Sequence, residues 1–269
     1  MRSYMKNFIK RILFYFKIFG IDILRTCSSV KSIPFYLSSY LALKTQENKT
    51  DHQFKIRMNY PCLNDRSSNS GVTKGHYFHQ DLYIASCIFK DNPKRHIDVG
   101  SRVDGFVAHV ASYRNIEVFD VRPLVSAHSS IIFNQLDLTC DLPTEYVECT
   151  DSLSCLHAIE HIGLGRYGDV IDYMGHITAL SNLVKMLEPN GKLYLSAPIG
   201  PQRIEFNAHR VFSVSYFYNM LKNEGLVVKN TSVVNDSGDF LSGVNIDDGF
   251  VNNFGCKYGC IIFETSKIK

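Results

Sequence analysis

The stretch that decides the fold of this 269-residue chain runs from Arg95 to Asp120, RHIDVGSRVDGFVAHVASYRNIEVFD. It opens with a short apolar strand, His96–Val99, and continues into a turn of small and polar residues, Gly100–Gly105. Apolar residues then recur at helical spacing, and a second strand, Ile116–Phe119, ends in Asp120. This β-α-β unit predicts a parallel sheet with right-handed crossovers.

The turn after the first strand is a candidate ligand site, because ligands of parallel sheets bind beyond the carboxyl ends of the strands. A dinucleotide fold would have Gly-x-Gly-x-x-Gly here, but Arg102 stands in place of the second glycine. Asp98 could hold a cationic amine, directly or through water, and Asp120 could accept both hydroxyls of a ribose. These residues favour a cofactor without phosphate. An ordinary strand followed by a polar turn is the alternative.

Charge is distributed unevenly along the chain. Residues 1–50 carry nine Lys/Arg and two Asp/Glu, whereas the rest carries 20 and 24. The mildly acidic larger part argues against nucleic acid as a partner. The apolar content of 45% and the charged content of 20% are ordinary for a globular protein.

The N-terminal segment mixes basic and apolar residues. Its apolar run is interrupted by Lys10, Arg11 and Lys17, so it predicts neither a transmembrane helix nor a signal peptide. A helix over residues 5–25 could lie on an anionic membrane surface, or it could pack on the domain or on a second subunit. We expect a cytoplasmic protein, with peripheral contact at the inner membrane face under the first alternative.

The eight cysteines form no CxxC pair, which favours a reducing compartment. His76 and His79 could ligate a metal, but no second group of clear ligand spacing accompanies them. Cys256 and Cys260 also make a poor metal pair. No metal site is therefore expected.

Further strands and helices alternate along the rest of the chain. After Asp120 we expect a turn, a helix and a third strand near Ile131–Leu136. The later strands are expected at Ser152–His157, Leu193–Ala197, Leu226–Val234 and Cys260–Glu264, and the last of these is expected to lie antiparallel between the fifth and sixth strands. Helices are expected at His176–Leu187 and Ser215–Asn223, with a tight turn at Glu188–Lys192 and a loop at Asn235–Asn253. The domain organisation expected is a basic apolar segment at 1–50, a linker at 51–75 and the main domain at 76–269.

The end of the fourth strand carries titratable side chains. Glu160 and His161 follow it, and an imidazole there could act as a general base near neutral pH. A histidine that merely bonds the backbone is the alternative. His209 lies in a second polar cluster after the fifth strand, together with Asn207 and Arg210, where structural anchoring is equally compatible with the pattern.

Several motifs together resemble a known family. They are GHYFHQDL at 75–82, HIDVGSRVDGF at 96–106, AIEHIGLGRYGD at 158–169, LVKMLEPNGKLYLSAP at 183–198 and FNAHRVFS at 206–213. As a set they resemble the methyltransferase-like family catalogued as domain of unknown function 268, and through it the class I S-adenosylmethionine-dependent methyltransferases. The resemblance implies an α/β, Rossmann-like fold with a mostly parallel seven-stranded sheet, helices on both faces and an antiparallel last strand.

The resemblance also implies a function. S-adenosyl-L-methionine would be the cofactor, and a saccharide or another small hydroxyl compound would be the methyl acceptor. The implied cofactor contacts are Asp98, Gly100, Ser101, Arg102, Gly105, Asp120, Val121, Asp137, Leu138 and His157. The implied base is His161, with His209 second and Glu160 beside them, and the implied acceptor contacts are Arg166, Tyr167, Asn207 and Arg210. Tyr77, His79 and Gln80 would contribute to a lid, and core or capping roles for them are equally compatible with the sequence.

Two alternatives belong to other classes of function. One is a catalytically silent binding or scaffold protein that keeps the fold and lies at a membrane surface, because Arg102 and Asp104 depart from the glycine-rich turn of methyltransferases. The other is a nicotinamide-dependent oxidoreductase, which the missing Gly-x-Gly-x-x-Gly pattern disfavours.

Overall fold

Eight strands form the main sheet in the part of the chain that the structure describes, residues 2–49, 54–125 and 128–268 of a computed structural model. Their spatial order is β3-β2-β1-β4-β5-β10-β8-β9. The strands are β1 His96–Val99, β2 Ile116–Asp120, β3 Ile131–Gln135, β4 Thr150–Leu156, β5 Leu187–Ile199, β8 Leu226–Val234, β9 Phe240–Ser242 and β10 Gly259–Lys267. A separate hairpin pairs β6 Arg203–Glu205 with β7 His209–Val211.

The first five strands of the main sheet run parallel, whereas β10 is antiparallel to both β5 and β8. The α/β class, the mostly parallel sheet and the antiparallel last strand are therefore as the sequence predicts. The predicted number of seven strands is wrong, because β9 adds an eighth strand by pairing antiparallel with β8.

Helices cover both faces of the sheet. They are α3 His76–Asp91, the short α4 Ala108–Ala111 after a widened helical turn at Val103–Val107, α5 Gly175–Met186, α6 Val214–Asn223 and α7 Ile246–Asn252. Consecutive side chains of a strand point to opposite faces, so Leu193 and Leu195 of β5 join one buried cluster while Tyr194 joins the other. The cluster with Leu193 includes residues of α5 and α6, and the cluster with Tyr194 includes residues of α3 and α4.

Three local predictions are corrected. The helix expected between β2 and β3 is absent from the described residues there, 121–125 and 128–130. The loop expected at Asn235–Asn253 contains β9 and α7. The tight turn expected at Glu188–Lys192 lies within β5, where Asn190 has φ +65° and the pairing with β4 shifts register between Thr150 and Ser152.

The structure divides into two compact units, Met1–Val72 and Thr73–Lys269. In the first unit, α1 spans Arg2–Ile18 and α2 spans Ile23–Glu47. The Asp22 carboxylate caps α2 by accepting from the backbone N–H of Arg25 at 3.0 Å. Among the described residues, neither helix of this unit has the length and apolarity needed to cross a bilayer. The predicted division of the chain into functional segments stays a prediction.

Candidate active site

A cavity of about 380 Å³ opens at the carboxyl ends of β1, β2 and β4. This is the edge of the sheet where the alternation of strands and helices predicts a ligand site. Its lining includes ten of the residues predicted from sequence: Gly100, Arg102, Asp120, Val121, Asp137, Leu138, His157, His161, Arg166 and Tyr167. The rest of the lining is Tyr77, Val99, Phe119, Arg122, Leu136, Leu156, Ala158, Ile162 and Asp169.

Gly100 begins the turn after β1 in a conformation that favours glycine. Its φ is +74°, and a Cβ built there would lie 2.8 Å from the Cβ of Ala158. The backbone of β1 therefore approaches the start of the segment after β4 more closely than any side chain would allow. This close approach leaves the Gly100 backbone at the cavity wall.

Asp98 is buried and does not line the cavity. Its carboxylate accepts hydrogen bonds from the Ser101 backbone N–H at 3.1 Å, from Ser101 Oγ at 2.7 Å and from Ser154 Oγ at 2.5 Å. Burial raises the pKa of Asp98 to about 7, although the three donors act in the opposite direction. Asp98 and Ser101 hold the shape of the turn and do not line the cavity, and their predicted cofactor contacts stay a prediction.

Arg102 lines the cavity, whereas Gly105, also predicted as a cofactor contact, does not. The Arg102 side chain is exposed, and its Nε and Nη2 donate to the Asp104 carboxylate at 3.1 and 2.8 Å. The guanidinium therefore lies at the mouth of the cavity and does not fill the space beside the turn. Gly105 does not line the cavity, and a Cβ there would lie 2.8 Å from Oδ2 of Asp81. Gly105 therefore allows helix α3 to pack closely rather than allowing a ligand to approach.

Asp120 ends β2 at the cavity wall and is paired with Arg122. The Arg122 backbone N–H donates to Oδ1 of Asp120 at 2.8 Å, and its Nη2 donates to Oδ2 at 2.7 Å. Arg122 Nε also donates to Oδ1, at 3.0 Å. A carboxylate offers about four acceptor positions, so Asp120 keeps about one of them for a ligand hydroxyl. Arg122 was not predicted as a site residue, and the sequence signal for it is its place two residues after the acid.

Tyr167 lies between two guanidinium groups at the cavity rim. Arg122 is 4.4 Å from the ring centroid and Arg166 is 5.0 Å away. The loop that carries Tyr167 is held by Asp169, whose carboxylate accepts from the backbone N–H groups of Gly163, Gly165 and Tyr167. These three hydrogen bonds to Asp169 fix the conformation of the loop at the cavity rim.

Asp137 lies at the cavity beyond β3, where the adenine contact is predicted. One of its oxygens accepts from the backbone N–H of Thr139 at 2.8 Å and from Thr139 Oγ1 at 2.7 Å. This is the turn-capping role that a short acid commonly takes. Its second oxygen, next to Leu138, can still accept a hydrogen bond from a ligand.

His157 and Glu160 form a buried pair beneath the cavity. Nδ1 of His157 lies 2.8 Å from Oε1 of Glu160, and both side chains are almost completely buried. Burial by itself would lower the pKa of His157, but Cys260 and Glu160 nearby outweigh it and raise that pKa. His157 Nε2 and Glu160 Oε2 have no hydrogen-bond partner among the described residues.

His161 lines the cavity and is held by the backbone. Its Nδ1 lies 2.6 Å from the carbonyl oxygen of Ala208, which also accepts from Arg166 Nη1 at 2.8 Å. Its Nε2 lies 3.7 Å from Oε1 of Glu160. Burial lowers the pKa of His161 below the ordinary value of 6.5, so the ring is neutral at pH 7.

The polar cluster after β5 lies mostly outside the cavity. Arg210 is buried and donates to the carbonyl oxygens of Ile162 at 2.6 Å and Tyr173 at 3.0 Å, so it anchors backbone and is not placed to bind an acceptor. Asn207 is exposed at the β6–β7 hairpin. His209 packs near His161, with ring centroids 6.3 Å apart, but neither His209 nor Glu160 lines the cavity.

Tyr77, at the start of α3, lies over the same site. Its ring centroid is 4.9 Å from that of His157, and it lines the cavity as the lid resemblance implies. His79 stacks on Phe240 instead, and Gln80 is buried with its side-chain oxygen accepting from Ser196 Oγ at 2.6 Å. Only one of the three predicted lid residues therefore faces the cavity.

A family model described as "Caenorhabditis protein of unknown function, DUF268" matches residues 127–231. The resemblance is confirmed over these residues, which hold the motifs at 158–169, 183–198 and 206–213, whereas the motifs at 75–82 and 96–106 lie outside the match. The matched residues include Asp137, the segment from His157 to Asp169, and the β6–β7 hairpin. No curated protein sequence matches the chain.

Solved structures share the fold at low sequence identity. A candidate sarcosine dimethylglycine methyltransferase from Galdieria sulphuraria aligns with a TM-score of 0.50 and 13% identity, over 71% of this chain and 86% of that one. This likeness shows a methyltransferase-type fold.

Two further structures score just below that level. A Burkholderia thailandensis 1,6-didemethyltoxoflavin-N1-methyltransferase aligns with a TM-score of 0.49 and 13% identity, over 70% of this chain and 79% of that one. The N-methyltransferase NodS of Bradyrhizobium japonicum aligns with a TM-score of 0.48 and 15% identity, over 72% of this chain and 89% of that one. Both structures contain S-adenosylhomocysteine.

Proposed function

We propose that this chain is an S-adenosylmethionine-dependent methyltransferase that methylates a hydroxyl of a small acceptor, with saccharides as the acceptor class. The observation that carries the proposal is the position of the neutral His161 at one wall of a cavity whose other walls carry Gly100, Asp120 and Asp137. A cofactor region and a candidate base thus share one cavity.

The residues present fit the cofactor. The close approach of backbone at Gly100 gives a wall without a side chain, and the carboxylates of Asp120 and Asp137 offer acceptors for ribose hydroxyls and for an adenine amino group. Phe119, Leu136 and Leu138 supply apolar surface between those carboxylates. When bound, S-adenosylmethionine supplies an electrophilic methyl group on a sulfonium.

His161 is suited to take up the proton of the acceptor hydroxyl. A hydrogen must lie between Nδ1 and the Ala208 oxygen at 2.6 Å, which leaves the lone pair on Nε2. Nε2 would take the acceptor's proton as the methyl group passes from the sulfonium, which leaves as a neutral thioether, and Glu160 at 3.7 Å would stabilise the resulting imidazolium. Removal of that proton is the contribution that O-methylation needs from the protein.

The rim supports a hydroxyl-rich acceptor. Arg122, Arg166 and the Tyr167 hydroxyl group are hydrogen-bonding groups at the entrance, next to His161. A saccharide offers several hydroxyls to such donors and acceptors while it exposes one of them to the base.

The test is transfer of an isotopically labelled methyl group from S-adenosylmethionine to a panel of monosaccharides, with amines and carboxylic acids as comparison acceptors. The proposal expects label in a sugar ether that depends on His161. Label in amines alone would overturn the hydroxyl assignment. Cofactor binding without transfer to any acceptor would favour the silent scaffold over the enzyme.

The N-terminal unit supports a second element of the proposal, peripheral contact with an anionic membrane through residues 5–25. Phe8 is 62% exposed and Phe19 is 80% exposed, and Lys10, Arg11 and Lys17 lie between them. Exposed aromatic and basic residues in α1 and in the turn directly after it fit an interfacial segment. Location at the inner face of a membrane, and in the cytoplasm, stays a prediction.

Co-sedimentation of the full chain with vesicles tests this contact. Binding to phosphatidylserine-containing vesicles, with loss in Phe8→Ser/Phe19→Ser and no loss in the control Phe54→Ser, is expected. Equal binding to neutral vesicles, or no binding to either, would contradict it.

A further inference from the structure

Three side chains outside the proposed chemistry come together beside the cavity. His76 begins α3, His157 follows β4 and Cys260 lies at the start of β10. One ligand atom from each residue lies within 4.8 Å of the other two. The chain thus brings two imidazoles and one thiol to a single point from three distant parts of the sequence.

The hydrogen bonding of the cluster leaves ligand atoms available to a ligand. His157 is buried, and its Nε2 has no hydrogen-bond partner among the described residues, whereas its Nδ1 bonds to Glu160. The Cys260 thiol is also buried, and it donates within the hydrogen-bonding range of sulfur to Gln80 Oε1 at 3.9 Å and to the carbonyl oxygen of Ile261 at 3.6 Å. The Cys260 thiol lies close enough to the His157 ring to act as its hydrogen-bond partner. A metal ion shared by the imidazole and the sulfur would replace that contact and satisfy both buried groups.

We propose that His76, His157 and Cys260 bind one Zn²⁺ ion. Imidazole and thiolate are the ligands that Zn²⁺ prefers, and zinc sites with two such histidines and a cysteine are chemically well matched. In a tetrahedral site with bonds of about 2.0–2.3 Å, neighbouring ligand atoms lie roughly 3.3–3.8 Å apart. The three atoms lie within 4.8 Å of one another, and the His76 and His157 rings are stacked, so binding draws the three side chains closer together.

Glu160 completes the arrangement as a partner of the ligand His157. Metal-binding histidines almost always donate their second ring N–H to a carboxylate or carbonyl, which fixes the tautomer. The 2.8 Å contact from Nδ1 of His157 to Glu160 supplies that donation and leaves Nε2 for the ion. The proposal therefore gives Glu160 a positioning role that does not depend on methyl transfer.

Three protein ligands leave a fourth coordination position for water or another small ligand, as in zinc sites that are not purely structural. His157 also lines the cavity, so the ion would lie next to the space proposed for the cofactor and acceptor. The ordinary alternative is that Cys260 serves as a small buried hydrophobe in β10. Under that alternative the thiol is simply the partner of the buried His157 ring, and metal titration distinguishes the two.

The test uses the full chain, freed of metal with a chelator and then titrated with Zn²⁺ and, separately, Co²⁺. We expect one equivalent of tightly bound metal, a rise in melting temperature on loading, and the near-ultraviolet absorption of a cobalt–thiolate bond. Cys260→Ser should lose the cobalt–thiolate band and weaken Zn²⁺ binding at least about tenfold. His76→Ala, at the partly exposed start of α3, should weaken binding without the risk to folding that a change at His157 carries.

Matched controls are Cys256→Ser, a buried cysteine four residues earlier, and His79→Ala, one turn along α3. Both should bind metal as the unaltered protein does. Absence of tight metal binding by the unaltered protein would overturn the proposal. So would one equivalent of metal that persists in folded Cys260→Ser and His76→Ala. Neither result depends on cofactor binding or methyl transfer.

Discussion

Nδ1 of His161 lies 2.6 Å from the carbonyl oxygen of Ala208. Two acceptors would repel at that distance, so Nδ1 carries the hydrogen and the lone pair resides on Nε2. Arg166 can only donate, and its Nη1 satisfies the same carbonyl at 2.8 Å. The contact thus fixes one tautomer of the candidate base in a ring that burial keeps neutral.

Replacement of His161 by Ala should lower methyl transfer by about 10²–10⁴-fold, the usual contribution of a general base. Affinity for S-adenosylhomocysteine should change little, because His161 acts on the acceptor. Labelled methyl transfer and calorimetry measure the two effects. His79→Ala is the control and should keep full activity, because His79 stacks on Phe240 and does not line the cavity. Unchanged transfer by His161→Ala would remove the residue from the mechanism.

The rate of transfer should increase with pH at the acid end and be level around pH 7. Burial lowers the pKa of His161 below 6.5, and a base acts in its neutral form, so activity is lost as the pH falls through that lowered pKa. A pH–rate profile of kcat measures this. A midpoint at or above pH 7 would contradict the assignment of His161 as the base.

Replacement of Gly100 by Ala should destabilise the protein and abolish cofactor binding. The left-handed backbone costs an alanine about 1–2 kcal/mol, and contact of its Cβ with Ala158 at 2.8 Å adds to that cost. Gly168→Ala is the matched control, since Gly168 has φ +88° but no atom within 4 Å of an added Cβ. Urea unfolding and calorimetry should separate the two variants; equal effects would argue against the close contact.

Replacement of Asp120 by Asn should weaken S-adenosylhomocysteine binding by about 10–100-fold, since a hydrogen bond to a charged group contributes about 1.5–3 kcal/mol. Asp104→Asn is the control. Asp104 also pairs with an arginine but is exposed and does not line the cavity. Calorimetric titration measures both affinities, and equal affinities for the two variants would contradict the predicted ribose contact.

Asp98 should make the protein less stable as the pH rises. Its pKa is raised to about 7 in the folded state, so the folded form retains a proton that the unfolded form has lost above its ordinary pKa of 3.8. Stability from this group is therefore complete below pH 3.8 and is lost as the pH rises toward 7, on the order of 2 kcal/mol between pH 5 and pH 7.

Asp98→Asn removes this titration, so its stability relative to the unaltered protein should increase over the same interval, whatever the absolute cost of the change. Urea unfolding at pH 5 and pH 7 measures the difference. The exposed Asp141→Asn should show no such trend. A parallel pH dependence of Asp98→Asn and the unaltered protein would contradict the raised pKa.

Local sequence patterns were sufficient for the central part of the fold. The strand His96–Val99, the turn at Gly100 and the strand Leu226–Val234 lie where the patterns predict them. By contrast, β9 and α7 are short and lie in a stretch rich in Asp, Asn and Gly, which is typical of loops. They form through tertiary contacts, as in the pairing of Val233 with Leu241, which local patterns do not reveal.

The site was predictable where its residues follow strand ends, as Gly100, Asp120, Asp137 and His161 do. It was not predictable where long-range packing decides the side-chain direction. Arg210 appears in sequence as a free polar donor, yet its guanidinium bonds to backbone carbonyls of Ile162 and Tyr173. Residues 76, 157 and 260 likewise share no local motif, so their convergence is visible only in the fold.

The most direct test of the central claim is calorimetric titration of S-adenosylmethionine and S-adenosylhomocysteine into the purified full chain, with NAD as the control ligand. The cavity walls at Gly100, Asp120 and Asp137 predict saturable binding of both methyl-cycle ligands at one site per chain and no binding of NAD. Absence of binding by either methyl-cycle ligand, in protein whose folding is verified by circular dichroism, would contradict the account.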